Sequence, residues 1–265
     1  MKFRLALLLT LVVSVLLPSA AGAQDAARIH LIHGIPDTDV DVTVGGAAVI
    51  EDFSFGDTQD LSGFAGQTLD DLQVVLAGTD TVAIDIGDFD VPASGNFTVI
   101  AHLDADGAPT VGVFENDTSE IAAGNGRLVV RHTAAAPAVD ILANGSAAFT
   151  NVPNGAGGGA DLPAGTISAE VVPTGATEPV VIGPADLPVT EGANLIVYAV
   201  GSLEGESLTV LTESIEGLAT PPAAVNTGNS PVDEATGLGF GAVAGIAAVA
   251  MAAVVAGPAV ARARR

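Results

Sequence analysis

The stretch RIHLIHGIPDTDVDVTVGG, from Arg28 to Gly46, concentrates side chains that could do chemistry: His30 and His33, two of four histidines, and Asp37, Asp39 and Asp41 at alternate positions. An imidazole beside carboxylates can ligate a metal or exchange protons, and serial carboxylates supply the oxygen donors that calcium takes in large sets. Further carboxylates gather as Asp104 and Asp106 in DADG and as Asp85, Asp88 and Asp90 in IDIGDFD. Asp37, Asp39, Asp104 and Asp106 are the residues expected to hold calcium if any site forms, and no other cofactor is expected. In an extended DTDVD segment, Asp37, Asp39 and Asp41 share one strand face. No stretch completes the EF-hand loop with its closing glutamate. His30 and His33 project to opposite faces of a strand, so they are not expected to share one ion.

The chain carries its own control for these residues, because it repeats. Shifting the sequence so that Arg28 falls on Arg127 places His33 on His132, Asp41 on Asp140, Gly46 on Gly145 and Ala65-Gly66 on Ala164-Gly165. Further on, FTVIAHLDADG falls on LIVYAVGSLEG. His30, Asp37, Asp39 and His102 meet Val129, Ala136, Ala138 and Val200 instead. The shared set, Arg28, His33, Asp41 and Gly46 with Arg127, His132, Asp140 and Gly145, reads as a structural frame. In it a buried histidine would bond a loop carbonyl or the nearby aspartate and fix the crossover into the second strand. One histidine and one aspartate per copy are too few for a zinc site. The remainder, His30, Asp37 and Asp39, is the candidate for a function peculiar to the first copy. That copy has nearly twice as many acidic residues as the second, so any cation role belongs there.

The elements that must position these residues are short strands, read from alternation of apolar and polar residues between turn signals. The expected strands are Arg28–His33, Val40–Val44, Leu72–Leu76, Val82–Ile86, Phe97–Leu103 and Thr110–Glu115. Their counterparts are Arg127–His132, Val139–Ala143, Ile167–Val172, Val180–Ile182, Leu195–Val200 and Ser207–Thr212. Gly45-Gly46, Asn144-Gly145, Asp106-Gly107 and Glu204-Gly205 suit turns with positive φ. No long helical period appears within either copy. The pattern predicts an all-β chain of two tandem antiparallel β-sandwich domains, over 24–121 and 126–217. The Gly-rich stretch NGAGGGA in the second copy reads as an insert-like loop.

The ends predict an address. Residues 1–23 combine Lys2 and Arg4, an apolar run and a small-residue ending, the pattern of a signal peptide cut between Ala23 and Gln24. Residues 237–261 carry no charge and precede the basic tail 262–265, as a C-terminal transmembrane helix with a cytoplasmic end would. Residues 218–236 are rich in Pro, Ala and Thr and read as a stalk. Within it Thr227-Gly228 is similar to a sortase cleavage point, although Ala224 and Val225 stand where leucine and proline are expected. The ectodomain would then be extracellular, held at the membrane or cell wall.

All 31 acidic residues lie between Gln24 and Thr236, opposed there by Arg28, Arg127 and Arg131 alone. Such a surface repels polyanions, which excludes nucleic acid as a partner. With no cysteine in the chain, no disulfide holds an exported domain together.

The recurring H-x-x-x-x-x-x-V-D followed by glycine, in HGIPDTDVDVTVGG and HTAAAPAVDILANG, together with FAGQT and LPAGT, resembles the exported domain of unknown function 4397. The first copy departs from the usual PAG with Phe64-Ala65-Gly66. The resemblance implies Ig-like sandwiches in tandem on the cell surface, and it carries no catalytic residues. There is no G-x-S-x-G, P-loop or H-E-x-x-H, and no small-molecule substrate is indicated. The expectation is a non-enzymatic, envelope-anchored binding, spacer or structural module with a cell-wall or surface partner. A calcium-dependent adhesin is the alternative, and an extracellular hydrolase a distant third.

Overall fold

The computed structural model describes residues 26–220. The first copy forms β1 (Arg28–His33), β2 (Val40–Val44), β3 (Ala47–Phe53), β4 (Thr58–Asp60), β5 (Thr68–Leu76), β6 (Val82–Asp90), β7 (Asn96–Leu103) and β8 (Pro109–Glu115). The second forms β9 (Asn125–His132), β10 (Val139–Ala143), β11 (Ser146–Val152), β12 (Ala156–Pro163), β13 (Gly165–Pro173), β14 (Ile182–Val189), β15 (Asn194–Val200) and β16 (Thr209–Ile215). Each copy is a pair of four-stranded sheets, ordered β4-β1-β7-β8 and β3-β2-β5-β6 in the first, β12-β9-β15-β16 and β11-β10-β13-β14 in the second. The chain is thus all-β over these residues, with two sandwich-like domains of one topology.

Alternation explains what each sheet buries. Leu31 of β1 packs with Val40 and Val42 of β2, Phe53 and Val74 inside the first sandwich. Leu128 and Val130 of β9 do the same with Val139, Ile141 and Val171 in the second. The β2–β3 and β10–β11 hairpins turn on two residues with positive φ, Gly45 (57°) with Gly46 (77°) and Asn144 (49°) with Gly145 (76°). That is the turn whose twist matches its flanking strands, and glycine and asparagine tolerate it best.

The sheets are not antiparallel throughout, which corrects the sequence expectation. β1 pairs with β7 in parallel, from Arg28 opposite Asn96 to His33 opposite Ala101, and β9 pairs with β15 in parallel. Parallel neighbours need a long crossover. Here all four strands of the other sheet are built between them, so the chain returns in its starting direction.

Four strands escaped the alternation pattern altogether, and a fifth, β14 (Ile182–Val189), begins only where the expected strand Val180–Ile182 ends. β3 and β11 are edge strands with both faces largely exposed, so their residues do not alternate. β4 has only three residues. β12 contains the Gly-rich stretch read as a loop, and it pairs with β9 from Ala156 opposite His132 to Pro163 opposite Asn125. Its glycines allow close approach: a Cβ at Gly157 would stand 2.6 Å from the Val130 carbonyl oxygen, and one at Gly158 would collide with the Phe149 ring.

The inward faces do not exhaust the core. Residues of opposite parity on β1, β7 and β15, namely Ile32, Ile100, Ile196, Tyr198 and Val200, are buried against one another, joined by Val129 of β9, Phe114 and Leu211. The central sheets of the two copies therefore share a third apolar layer. After β16, Leu218 to Thr220, the first residues of the expected stalk, are tied to the connection between copies. Ile121 N–H donates to Leu218 O (2.7 Å) and Thr220 N–H to Ile121 O (3.0 Å). The expected signal peptide 1–23, the candidate cleavage point Thr227-Gly228, the expected transmembrane segment 237–261 and the tail 262–265 lie outside the described residues. Among the described residues no helix is long and apolar enough to cross a membrane.

Candidate functional site

The repeated histidines and aspartates of the frame each complete a backbone feature. His33 and His132, at the ends of β1 and β9, bond the carbonyls of Thr38 (2.7 Å) and Pro137 (3.0 Å) through Nε2. His33 Nδ1 accepts the Ile35 N–H at 3.3 Å, so Nε2 carries the proton. Each ring thus closes the loop that carries the chain to the other sheet. Burial pushes both imidazoles below their ordinary pKa, against the opposing pull of those carbonyls.

Asp41 and Asp140 serve the next strand. Their Oδ1 atoms accept the N–H of Asp52 (2.9 Å) and Asn151 (2.7 Å), two non-glycine residues with φ of 52° and 54° beside shifts in register. A β-bulge leaves an extra backbone group unpaired, and the carboxylate supplies its acceptor. Asp140 also accepts the Gly175 N–H, and these backbone bonds hold its pKa below the usual carboxylate range. Asp88 repeats the device for Asp71 on β5, where φ is 50°. The two arginines are not equivalent. Arg28 is exposed, whereas Arg127 is buried and grips Asp161 through two nitrogens (2.7 and 3.1 Å) and Asp117 at 3.0 Å.

The calcium candidates do not assemble. Asp37 (φ 55°) and Asp39 lie exposed in the loop before β2, and the chain becomes extended only at Val40, so Asp37, Asp39 and Asp41 share no strand face. Asp104 Oδ1 already accepts the N–H groups of Asp106 (2.9 Å) and Ala108 (2.8 Å) to close its own turn. Among the described residues no group of three or more histidine, aspartate or glutamate side chains is placed to hold a metal ion. Nor does Glu204-Gly205 take the positive φ that its turn requires; Glu206 does, at 52°.

The buried polar chemistry lies where the copies meet. Glu213 of β16 receives hydrogen bonds from Thr98 Oγ1 (2.7 Å) and Tyr198 OH (3.0 Å) on Oε2, while its Oε1 pairs with His30 Nδ1 at 2.7 Å. Arg131 of β9 donates to Tyr198 OH (2.7 Å), Asn116 Oδ1 (2.6 Å) and Glu115 O (3.2 Å), with its guanidinium 4.5 Å from the Phe114 ring centre. Asn116 in turn donates to Asn96 Oδ1 and Thr98 Oγ1. Thr98 and Tyr198 are fully buried, and Arg131 and Asn116 nearly so. Burial lowers the Arg131 pKa, opposed by the favourable field of Tyr198 and Glu213, and it raises the Tyr198 hydroxyl above its ordinary value. A buried cation is tolerable because three of its N–H groups find acceptors, the Phe114 ring covers its face and an anion stands one residue away. At the far end Asn154 Nδ2 donates to Leu103 O (2.9 Å) of one copy and Ala134 O (2.7 Å) of the other.

This interface explains where the copies diverge. Ile32 and Arg131 occupy equivalent positions, as do Thr98 and Ile196, Ile100 and Tyr198, His102 and Val200. All face outward from their own sandwich, toward the other copy. Two equivalent sheets packed face to face need complementary side chains, not identical ones, so the outward positions differ while the inward ones repeat. His30 therefore departs from Val129 because it pairs with Glu213. Sequence reading missed Arg131, Tyr198, Glu213 and Asn116. The available signal was the chain's single tyrosine and one of its few arginines at outward parity on central strands.

The family model described as a domain of unknown function, DUF4397, matches residues 27–142 and 133–235. No curated protein matches the chain. With tandem matches spanning most of its length, the chain belongs to the DUF4397 family.

Proposed function

We propose that this protein is a non-enzymatic, envelope-anchored spacer: two Ig-like sandwiches joined into one stiff unit that holds an acidic surface away from the membrane. The observation that carries the reading is the buried network in which Arg131 and Glu213 of the second copy bond Asn116, Thr98 and His30 of the first, so that its polar groups are spent on joining the copies. Export by residues 1–23 and anchoring by 237–261 rest on the charge and apolar pattern of those segments. The excess of carboxylates keeps such a surface solvated and self-repelling, which suits a spacer facing a cell-wall or surface partner.

Fractionation of cells that produce the chain tests the address. A mature N-terminus at Gln24 and recovery in the membrane or wall fraction support it, and a cytoplasmic chain that retains Met1 overturns it. Small-angle scattering of residues 24–220 tests stiffness. A single compact envelope that persists at high salt is expected, and a distribution of separated domains contradicts the spacer reading.

A further inference from the structure

Three segments fit the acceptor pattern Asn-x-Ser/Thr with no proline between: Asn96-Phe97-Thr98, Asn116-Asp117-Thr118 and Asn144-Gly145-Ser146. The fold sorts them. Asn96, Thr98 and Asn116 bond to one another inside the inter-copy network, where Asn116 Nδ2 donates to both Asn96 Oδ1 (2.8 Å) and Thr98 Oγ1 (2.9 Å). Asn116 also accepts from Arg131, and the Thr98 hydroxyl is committed to Glu213. A sugar on Asn96 or Asn116 would therefore displace the contacts that join the two copies.

Asn144-Gly145-Ser146 is the opposite case. It forms the tip of the β10–β11 hairpin, with all three residues exposed. The Asn144 carboxamide oxygen is held by the Ser168 N–H at 3.0 Å, and its Nδ2 makes no hydrogen bond among the described residues. The residue between, Gly145, leaves open space beside the amide, since a Cβ built there meets nothing within 4 Å. The first copy has Gly45-Gly46-Ala47 at the equivalent tip, which offers no amide.

We infer that Asn144 is an N-glycosylation site, the one acceptor of the three that the folded protein presents. The donor class is a sugar carried on a polyisoprenyl phosphate or diphosphate. Asn144 Nδ2 bonds to the anomeric carbon, the bond from that carbon to the phosphate oxygen breaks, and the amide loses one proton, so no redox partner is needed. A glycan there would project from the hairpin tip and leave the inter-copy face untouched. The inference rests on the export reading, because such transfer takes place on the outer side of the membrane.

The test is peptide mass spectrometry of the protein isolated from the envelope of its source cells, cut with a glutamate-specific protease. The expected result is a hexose- or hexosamine-type mass increment on the peptide holding Asn144, with unmodified Asn96 and Asn116. Ser146→Ala should abolish the increment while leaving Asn144 and the turn in place, and Ser146→Thr should keep it. An unmodified Asn144 in a chain that begins at Gln24 overturns the inference and leaves the spacer reading standing. A chain that still begins at Met1 overturns both.

Discussion

Arg131 shows most directly how a single residue is held to its task. It is nearly fully buried, and three of its N–H groups bond Tyr198, Asn116 and the Glu115 carbonyl. Replacing it with methionine keeps much of the packing volume but leaves Asn116 Oδ1 and the Glu213 carboxylate without their cation. The expected loss is about 3 kcal/mol, in the range for breaking one side of a buried ionic network. Chemical denaturation of Arg131→Met against the parent measures it, and a change near zero would show that the network adds nothing to stability.

The buried histidines make a second prediction at this scale. Burial depresses His33, His102 and His132 below 6.5 in the folded state. The unfolded chain therefore takes up protons first as pH falls, and stability declines below about pH 6.5. A separate decline follows below 3.8, where Asp60, Asp117 and Asp140, held low by their hydrogen bonds, must be protonated on unfolding. Thermal melts from pH 8 to pH 3 should show both steps, and His102→Gln should flatten the upper one only.

At the scale of elements, β12 is the sharpest case, because its glycines look like punctuation and are packing residues. Gly158 lies against the Phe149 ring of β11, at the corner where the two sheets of the second sandwich meet. Gly158→Ala should destabilise by about 1–3 kcal/mol through overpacking. Phe149→Leu in the same chain should recover part of that loss, and a double-mutant cycle with no coupling would refute the contact. The frame aspartates belong to this scale as well. The sequence marked Asp41 and Asp140 as repeated, while their role emerges from bulges on a neighbouring strand whose existence alternation did not reveal.

For the whole molecule, the shared layer of Ile32, Ile100, Ile196, Tyr198 and Val200 couples the copies. Calorimetry of residues 24–220 should give one cooperative transition, with calorimetric and van't Hoff enthalpies in agreement. Ile100→Asp should split it into two, since a lone carboxylate in that layer has no partner. Two transitions in the parent protein would show that the sandwiches unfold independently.

The amino-acid order by itself determined the repeat, the β class, the central strands β1, β2 and β10 to the residue, and the hairpin tips at Gly45-Gly46 and Asn144-Gly145. These follow from side-chain alternation and backbone φ preference, which act within a few neighbouring residues. Only the tertiary structure decided that β1 and β7 run parallel, that the carboxylates of DTDVD part company, and that His30 meets Glu213 across the copies. Those outcomes depend on residues far apart in the chain, whose packing and hydrogen-bond satisfaction are settled only when the sheets close on one another.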